Sequence, residues 1–129
     1  MIVGVGTDII ERKRIRKAIE KERFINRYFT EREINQFKER NFSPQTVAGV
    51  FSAKEAIVKA MGTGFSGFSP ADIEVLKDES GKPYANIYNN AKSICDKKGI
   101  KNIHISISHC KEYAQGFAVA EGDTFNITE

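Results

Sequence analysis

The sequence predicts an α+β fold in which an antiparallel sheet packs against one long helix. Two observations lead to this prediction: short apolar, β-branched segments lie near both ends of the chain, and apolar residues at helical spacing occupy much of its first half. The chain has 129 residues, which suffice for one domain with a buried core but not for two. We therefore predict a single domain over residues 1–129 and expect residues 122–129 to fray.

The composition indicates a folded globular chain, with 40% hydrophobic and 29% charged residues. No stretch approaches the roughly 20 apolar residues that cross a membrane, and Met1–Asp8 lacks the basic head and cleavage site of a signal peptide. The two cysteines, Cys95 and Cys110, form no CxxC motif, so neither a disulfide framework nor a zinc site is indicated. These features predict a cytoplasmic protein with no membrane partner.

The first part of the chain combines one strand with helical patterns. Met1–Ile10 is apolar, β-branched and short, which predicts a buried strand. From Glu11 onward, apolar residues recur three and four positions apart among cations, as in a basic amphipathic helix. The spacing of apolar residues over Phe24–Phe29 predicts a second short helix, and Thr30–Glu33 has the sequence of a capping box that starts a third.

The longest predicted helix lies near the middle of the chain. Ser43 as N-cap and Pro44 at the first helical position mark its start, and Met61 precedes the glycines that end it. The remaining elements are a hairpin, a helix and two final strands, at residues 73–76 and 84–88, 90–98, 103–108 and 114–121. The predicted order of elements is β-α3-β2-α-β2.

Positive charge is concentrated near the N-terminus, although the net charge is only +3. Segment 12–27 contains eight cations and only two carboxylates. A solvated helix face is the ordinary interpretation of such a block. A surface that attracts an acidic partner is the alternative, and the charge pattern does not choose between them.

Three charged residues of the long helix are candidates for chemistry. Glu55 and Lys59 are four positions apart and therefore share a helix face. Their simplest interpretation is a surface ion pair worth about 0.3–0.5 kcal/mol, and the functional interpretation is a polar site. Lys54 falls among apolar positions, where its charge needs a carboxylate or phosphate partner unless the side chain reaches solvent.

Asp8 lies at the end of an apolar segment, where a carboxylate has to be hydrogen-bonded, paired or metal-bound. It either caps the helix that starts near Glu11 or joins Glu55 in a two-carboxylate Mg²⁺ site. His109 ends a strand and is either a structural residue or a donor to a phosphate. His104 points to the opposite face, so a two-histidine metal site is not predicted.

Three segments of the sequence, taken together, resemble a known family. They are Gly4–Glu11, Phe51–Ala60 with the following Gly62–Gly64, and Ile105–His109 with Lys111–Ala114. In residue types, order and intervals they resemble the holo-acyl-carrier-protein synthases, the small 4′-phosphopantetheinyl transferases, and the resemblance extends from end to end. It implies the fold of that family and makes a functional role the favoured interpretation of Glu55.

The resemblance assigns roles to six residues. They are Asp8 and Glu55 as Mg²⁺ ligands, Lys59 as the helical lysine near the phosphates, His109 as a phosphate contact, and Gly64 and Pro83 as coenzyme A contacts. The implied reaction transfers the phosphopantetheine arm of coenzyme A to a serine hydroxyl of an apo acyl carrier protein and releases adenosine 3′,5′-bisphosphate. The base that accepts the serine proton is open among Glu55, a Mg²⁺-associated water and another group.

The resemblance also implies partners. The family's carrier protein is acidic and docks against the first helix, so Arg14 and Arg23 are the expected contacts. The implied assembly is a homotrimer with active sites between subunits. Many family members carry Arg where this chain has Val50, and the replacement is open among the lysines at positions 54, 82 and 111.

Two other functions are compatible with the residues. One is a basic module without catalysis that binds an acidic protein or nucleic acid. The cations are concentrated on one helix without an interleaved aromatic platform or a known RNA or DNA motif, so we predict no nucleic-acid partner. The other is a Mg²⁺-dependent nucleotide hydrolase, which would use the same carboxylates but turn over coenzyme A without a carrier.

Overall fold

The computed structural model describes residues 1–123. Its elements in chain order are β1 (Ile2–Glu11), α1 (Arg12–Ala18), α2 (Glu22–Tyr28), α3 (Glu31–Glu39), α4 (Pro44–Met61), a 3₁₀ turn (Pro70–Asp72), β2 (Ile73–Lys77), β3 (Pro83–Ile87), α5 (Asn89–Lys97), β4 (Ile100–His109) and β5 (Tyr113–Gly122). The predicted α+β class with antiparallel strands is confirmed. Four helices precede β2, one for each helical segment identified in the sequence, so the predicted order β-α3-β2-α-β2 counts one helix too few.

Local sequence signals mark several helix ends as predicted. Thr30 caps α3: its hydroxyl accepts from the Glu33 amide at 3.1 Å, and the Glu33 carboxylate accepts from the Thr30 amide at 2.8 Å. Pro44 is the first residue of α4, and Gly62 ends it with φ +78°, a left-handed conformation that glycine adopts without steric cost. Ser43 is the N-cap residue of α4 as predicted, although its side chain makes no capping hydrogen bond within residues 1–123.

The strands form a three-stranded antiparallel sheet in the order β1-β5-β4 and a separate antiparallel hairpin of β2 and β3. Helix α4 lies against the three-stranded sheet, and glycines at the contact allow the backbones to approach closely. A Cβ atom at Gly6 would lie 2.0 Å from the Ala56 carbonyl oxygen, and one at Gly116 would lie 2.5 Å from the Ala53 nitrogen. The glycines of β1 therefore bring its inner face directly onto α4.

The prediction that the first strand is buried is wrong. The inner residues of β1, such as Gly6 and Ile10, are buried, but Val5 and Ile9 on its other face are 55% and 61% exposed. Phe117 of β5 lies beside Thr7 on this same face and is 43% exposed. We call the surface around Val5, Ile9 and Phe117 the outer sheet face. One chain alone leaves this apolar surface uncovered because the glycine-lined inner face is the one that meets α4.

The ends of the described chain meet each other. The Gly122 amide donates to the Met1 carbonyl oxygen at 2.8 Å, so β5 is hydrogen-bonded to the N-terminus at its last residue. Residues 124–129 of the segment expected to fray lie outside the described residues. Among the helices of residues 1–123, none combines the length and apolar character needed to cross a membrane.

Candidate active site

Asp8 lies in the middle of the inner face of β1, opposite Gly116 of β5. Its Oδ1 is 3.3 Å from Lys59 Nζ, and Lys59 Nζ also donates to the Thr7 carbonyl oxygen at 2.9 Å. The Asp8 side chain is 19% exposed, so one side of the carboxylate is open to solvent. Two sequence-based alternatives are therefore wrong. Asp8 does not cap α1, because the N-cap residue of that helix is Glu11. Lys59 forms its ion pair with Asp8 and not with Glu55.

Glu55 projects from α4 one turn before Lys59 and is only partly exposed. Its Oε2 accepts a short hydrogen bond from the phenol of Tyr28, the last residue of α2. Burial raises the pKa of the Tyr28 phenol, and its hydrogen bond to Glu55 and the negative charge of Asp8 raise it further. The phenol therefore keeps its proton and acts as a hydrogen-bond donor to Glu55.

Tyr28 was not identified from the sequence, where it appeared only as part of a helical aromatic pattern. Its ring stacks on Phe51 with centroids 4.8 Å apart and on Phe24 with centroids 5.7 Å apart. The bond from Tyr28 to Glu55 spans 27 positions of the chain. No local spacing rule connects residues so far apart, so only the folded structure reveals the pair.

Lys54 has the carboxylate partner that its apolar surroundings require. Its Nζ lies 2.9 Å from Glu33 Oε1, both side chains are fully buried, and Nζ also donates to the Tyr28 carbonyl oxygen at 2.7 Å. Glu33 Oε2 accepts from the Val75 amide at 2.7 Å, so the pair joins α3, α4 and β2. Burial lowers the pKa of Lys54 and raises that of Glu33, while their mutual attraction opposes both shifts.

Many family members carry an arginine where this chain has Val50. The buried position of Lys54 limits which lysine of this chain can take the place of that arginine. Val50 is 4% exposed and lies in the core. Lys54 is excluded as a substitute, because its ammonium is buried between Glu33 and Tyr28. Lys82 and Lys111 are exposed and stay candidates.

Asp8 and Glu55 fit a divalent cation as two hard carboxylate ligands from different elements. The two are linked through α4, because Lys59, which lies 3.3 Å from Asp8, is one helical turn after Glu55. Within residues 1–123 no group of three or more His, Cys, Asp or Glu side chains is arranged to hold a metal. Two carboxylates are a donor set that can hold Mg²⁺, which binds one or two carboxylates and takes its other ligands from phosphates and water.

The other candidate site residues predicted from the sequence lie near one or the other end of α4. Gly64, with φ +61°, follows α4 on the side of Lys59. His109 lies at the opposite end, where its Nε2 is 3.1 Å from Gln45 Nε2, near the start of α4. Gln45 precedes Glu55 by ten positions, or about 15 Å along the helix axis. One chain therefore does not bring His109 to Asp8 and Glu55.

Pro83 also lies away from the two carboxylates. It begins β3 opposite Lys77, whose amide donates to the Gln36 side chain of α3 at 3.0 Å. A surface groove beside this hairpin end includes Thr46, the third residue of α4. Pro83 and His109 are therefore both on the side of the molecule where α4 begins.

His104 and His109 face opposite sides of the sheet, as predicted. His104 lies opposite Val119 and its Nε2 is 2.9 Å from Glu121 Oε1, whereas His109 lies opposite Ala114. Their side chains do not converge on a shared site.

The two arginines expected to contact a partner are exposed on α1 and α2. Arg14 lies on α1 next to Ile15, which is buried against the core. Arg23 lines a groove between α2 and the loop after α4, together with Lys21, Phe24, Arg27, Tyr28, Ser69 and Pro70. Three cations line this groove together with Tyr28, the residue that donates to Glu55.

Comparisons with known proteins agree with this architecture. The model of the 4′-phosphopantetheinyl transferase superfamily matches residues 4–118. The holo-[acyl-carrier-protein] synthase of Alkaliphilus metalliredigens is 54% identical over 121 residues, which are 93% of this chain and 99% of the relative. A crystal structure of the Neisseria meningitidis holo-[acyl-carrier-protein] synthase superposes with a TM-score of 0.84 at 35% identity, covering 94% of this chain and 99% of that chain.

A further solved structure carries a ligand. The Bacillus anthracis holo-(acyl-carrier-protein) synthase in complex with CoA (3′,5′-ADP) is 40% identical, has a TM-score of 0.79, and covers 95% of this chain and 99% of that chain. Because these matches extend over nearly the whole chain, the family resemblance seen in the sequence is confirmed. The chain is an enzyme of the 4′-phosphopantetheinyl transferase superfamily.

Proposed function

We propose that this chain transfers the 4′-phosphopantetheine arm of coenzyme A to a serine hydroxyl of an apo acyl carrier protein, in a Mg²⁺-dependent reaction in the cytoplasm. The observation that carries the proposal is the Asp8–Lys59 ion pair where α4 crosses β1, with the Glu55 carboxylate one helical turn before Lys59. The relatives named as holo-acyl-carrier-protein synthases, one of them in complex with CoA, support the substrate class.

The residues suit transfer from a diphosphate. The serine oxygen forms a bond to the phosphorus that carries the pantetheine arm, and the bond from that phosphorus to the bridging oxygen breaks, releasing adenosine 3′,5′-bisphosphate. A Mg²⁺ ion held by Asp8 and Glu55 would neutralise charge on the phosphate oxygens. Lys59, which is 56% exposed, can turn its ammonium toward the same oxygens. No protein nucleophile is needed, because the carrier serine is the attacking group.

We further propose a homotrimer in which each active site lies between two subunits. Asp8, Glu55 and Lys59 come from one subunit, and His109 and Pro83 from its neighbour. The separation of these two groups along α4 supports this arrangement. The exposed apolar outer sheet face, which includes Val5, supplies a surface that a neighbouring copy can cover.

The basic surface of α1 and α2 is proposed as the docking site of an acidic carrier protein. Arg14 and Arg23 are exposed there, and the groove beside Arg23 extends to Tyr28. A carrier helix on this surface would place its serine near Glu55. Attraction between opposite charges would mainly speed association and select the partner.

The proposal is tested by incubating the chain with coenzyme A, Mg²⁺ and an apo acyl carrier protein and measuring the intact mass of the carrier. The expected result is a mass increase equal to one phosphopantetheine arm, abolished by a chelator and restored by added Mg²⁺. A control without the carrier measures consumption of coenzyme A. Rapid consumption there would favour the hydrolase, and an unmodified carrier under all conditions would refute the transferase proposal.

A further inference from the structure

The hydrogen bond between Tyr28 and Glu55 takes no direct part in the proposed transfer of the phosphopantetheine arm. Tyr28 lies on α2, outside the three segments that resemble the family. Its phenol donates to Oε2 of Glu55, which leaves Oε1 as the second carboxylate oxygen. This hydrogen bond either contributes only to packing or also orients the Glu55 carboxylate to bind a cation.

Tyr28 is held at both its backbone and its ring. The Lys54 ammonium donates to its carbonyl oxygen at 2.7 Å and lies 5.1 Å from its ring centroid. The ring stacks on Phe51 at a centroid distance of 4.8 Å. Lys54 is in turn fixed by the buried Glu33 at 2.9 Å. The phenol oxygen is therefore a nearly immobile donor.

Glu55, in contrast, is carried on a long side chain with several rotatable bonds. A free glutamate would lose rotamer freedom when it binds a cation, which weakens binding. A fixed donor at one carboxylate oxygen removes part of that freedom before the cation arrives, and it leaves the other oxygen available. Donors that orient a metal ligand in this way commonly change metal affinity by about 10-fold to 100-fold.

We propose that Tyr28 is a positioning residue that orients the Glu55 carboxylate for the divalent cation of the transfer reaction. This inference rests on the proposed function, because it assumes that Asp8 and Glu55 bind a cation. Tyr28 itself does not contact the cation: its hydroxyl orients the side chain that does.

The test uses Mn²⁺ as probe, in the presence of saturating coenzyme A and without carrier, so that no transfer occurs. Free Mn²⁺ is followed by electron paramagnetic resonance for the unaltered chain and for Tyr28→Phe, Glu55→Gln and Tyr88→Phe. Tyr28→Phe keeps the stacked ring and removes only the hydroxyl. Tyr88→Phe is the matched control, since its phenol also donates to a carboxylate, that of Glu74 at 2.9 Å, outside the site.

We expect Tyr28→Phe to bind Mn²⁺ about 10-fold more weakly than the unaltered chain, and Tyr88→Phe to bind it equally well. Transfer activity of Tyr28→Phe should recover toward normal as Mg²⁺ is raised, which a general packing defect would not produce. If Glu55→Gln loses Mn²⁺ and Tyr28→Phe binds it normally, the role of Tyr28 is refuted and the metal site stands. If Glu55→Gln binds Mn²⁺ normally, the metal site and the role of Tyr28 both fail.

A second measurement does not depend on the folding of Tyr28→Phe. The chain labelled with [¹³Cζ]tyrosine is titrated with Mg²⁺, and the Tyr28 signal is assigned by elimination with Phe substitutions at Tyr84, Tyr88 and Tyr113. A change in the Glu55 carboxylate alters the hydrogen bond, so the Tyr28 signal should shift with the same midpoint as metal binding. A Tyr28 signal that stays constant while Mg²⁺ binds would overturn the proposal.

Discussion

Lys59 Nζ lies 3.3 Å from Asp8 Oδ1 and joins α4 to the inner face of β1. The contact spans 51 positions of the chain. The Lys59 ammonium therefore stays beside the Asp8 carboxylate. The other carboxylate, that of Glu55, accepts a hydrogen bond from the Tyr28 phenol of α2. The two carboxylates therefore have different partners, an ammonium for Asp8 and a phenol for Glu55.

Replacing Glu55 by Gln should abolish most of the Mg²⁺-dependent transfer, because an amide is a weak ligand for a hard cation. We expect kcat/KM to fall at least about 100-fold, with the midpoint of thermal unfolding nearly unchanged, since Glu55 is only partly buried. Steady-state kinetics and a thermal melt check this. Glu22→Gln on exposed α2 is the control, and full activity of Glu55→Gln would remove the metal-ligand assignment.

Active sites shared between subunits should allow two inactive variants to complement each other. Glu55→Gln disables one half of a site, and His109→Ala disables the half that we propose comes from the neighbour. When the two are co-expressed in equal amounts and mix at random, about a quarter of the sites combine two intact halves. We expect transfer activity to reappear in the mixture, measured per site, and no gain on mixing would place both residues in one subunit's site.

A charge on the outer sheet face should break the assembly. Phe117 is 43% exposed in the single chain, and a trimer would bury it together with Ile9. Phe117→Arg would then place an unpaired charge in an apolar interface, so native mass spectrometry should detect monomers. Ser93→Arg adds the same charge to exposed α5 and should leave the oligomer intact. A Phe117→Arg chain that keeps its oligomeric state would exclude this face as the interface.

Replacing the arginines of the docking surface should weaken binding of the carrier protein and leave the rate of the chemical step unchanged. Arg14→Ala and Arg23→Ala are each expected to raise KM for the apo carrier several-fold, leave kcat nearly unchanged, and weaken the dependence of kcat/KM on salt. Kinetics at salt concentrations from about 50 to about 300 mM, over which the Debye length falls from roughly 14 Å to roughly 6 Å, provide the measurement. Lys97→Ala on α5 is the matched control. Equal effects of all three substitutions would point to general charge loss.

Glu74 makes the stability depend on pH in the acid range. Burial alone would raise the pKa of Glu74, but hydrogen bonds from neighbouring side chains outweigh burial and hold it below the ordinary value of 4.5. The donors are Thr30, Asn86 and Tyr88. Because the folded pKa is lowered, the ionised carboxylate stabilises the fold above about pH 4.5, and this contribution disappears as pH falls through the folded pKa.

Urea unfolding at constant protein concentration tests this expectation. Glu74→Gln should lower the free energy of unfolding at pH 7, and its difference from the unaltered chain should shrink toward pH 3 as the native carboxylate is protonated. Asp96→Asn, in the exposed pair with Lys92, is the control. A difference that stays constant from pH 7 to pH 3 would contradict the assigned hydrogen-bond network.

Helix boundaries and strand pairing were predicted from the sequence where the signals act over a few residues. The capping box of Thr30 and Glu33 and the Pro44 to Gly62 bounds of α4 depend on hydrogen bonds and backbone preferences within one or two turns. Alternation along β4 placed His104 and His109 on opposite faces. These features are determined by neighbours in the chain, which is why local patterns are enough to find them.

The tertiary structure decided which charged groups meet. The shared helix face made an ion pair the simplest interpretation of Glu55 and Lys59, but β1 offers Lys59 the Asp8 carboxylate and α2 offers Glu55 the Tyr28 phenol. The burial of β1 was also predicted wrongly, because its glycine face and not its valine and isoleucine face meets α4. Local residue patterns were enough to identify the elements and the family, whereas the partners of Lys54, Glu55 and Lys59 lie 21 to 51 positions away, a separation that no periodic pattern encodes.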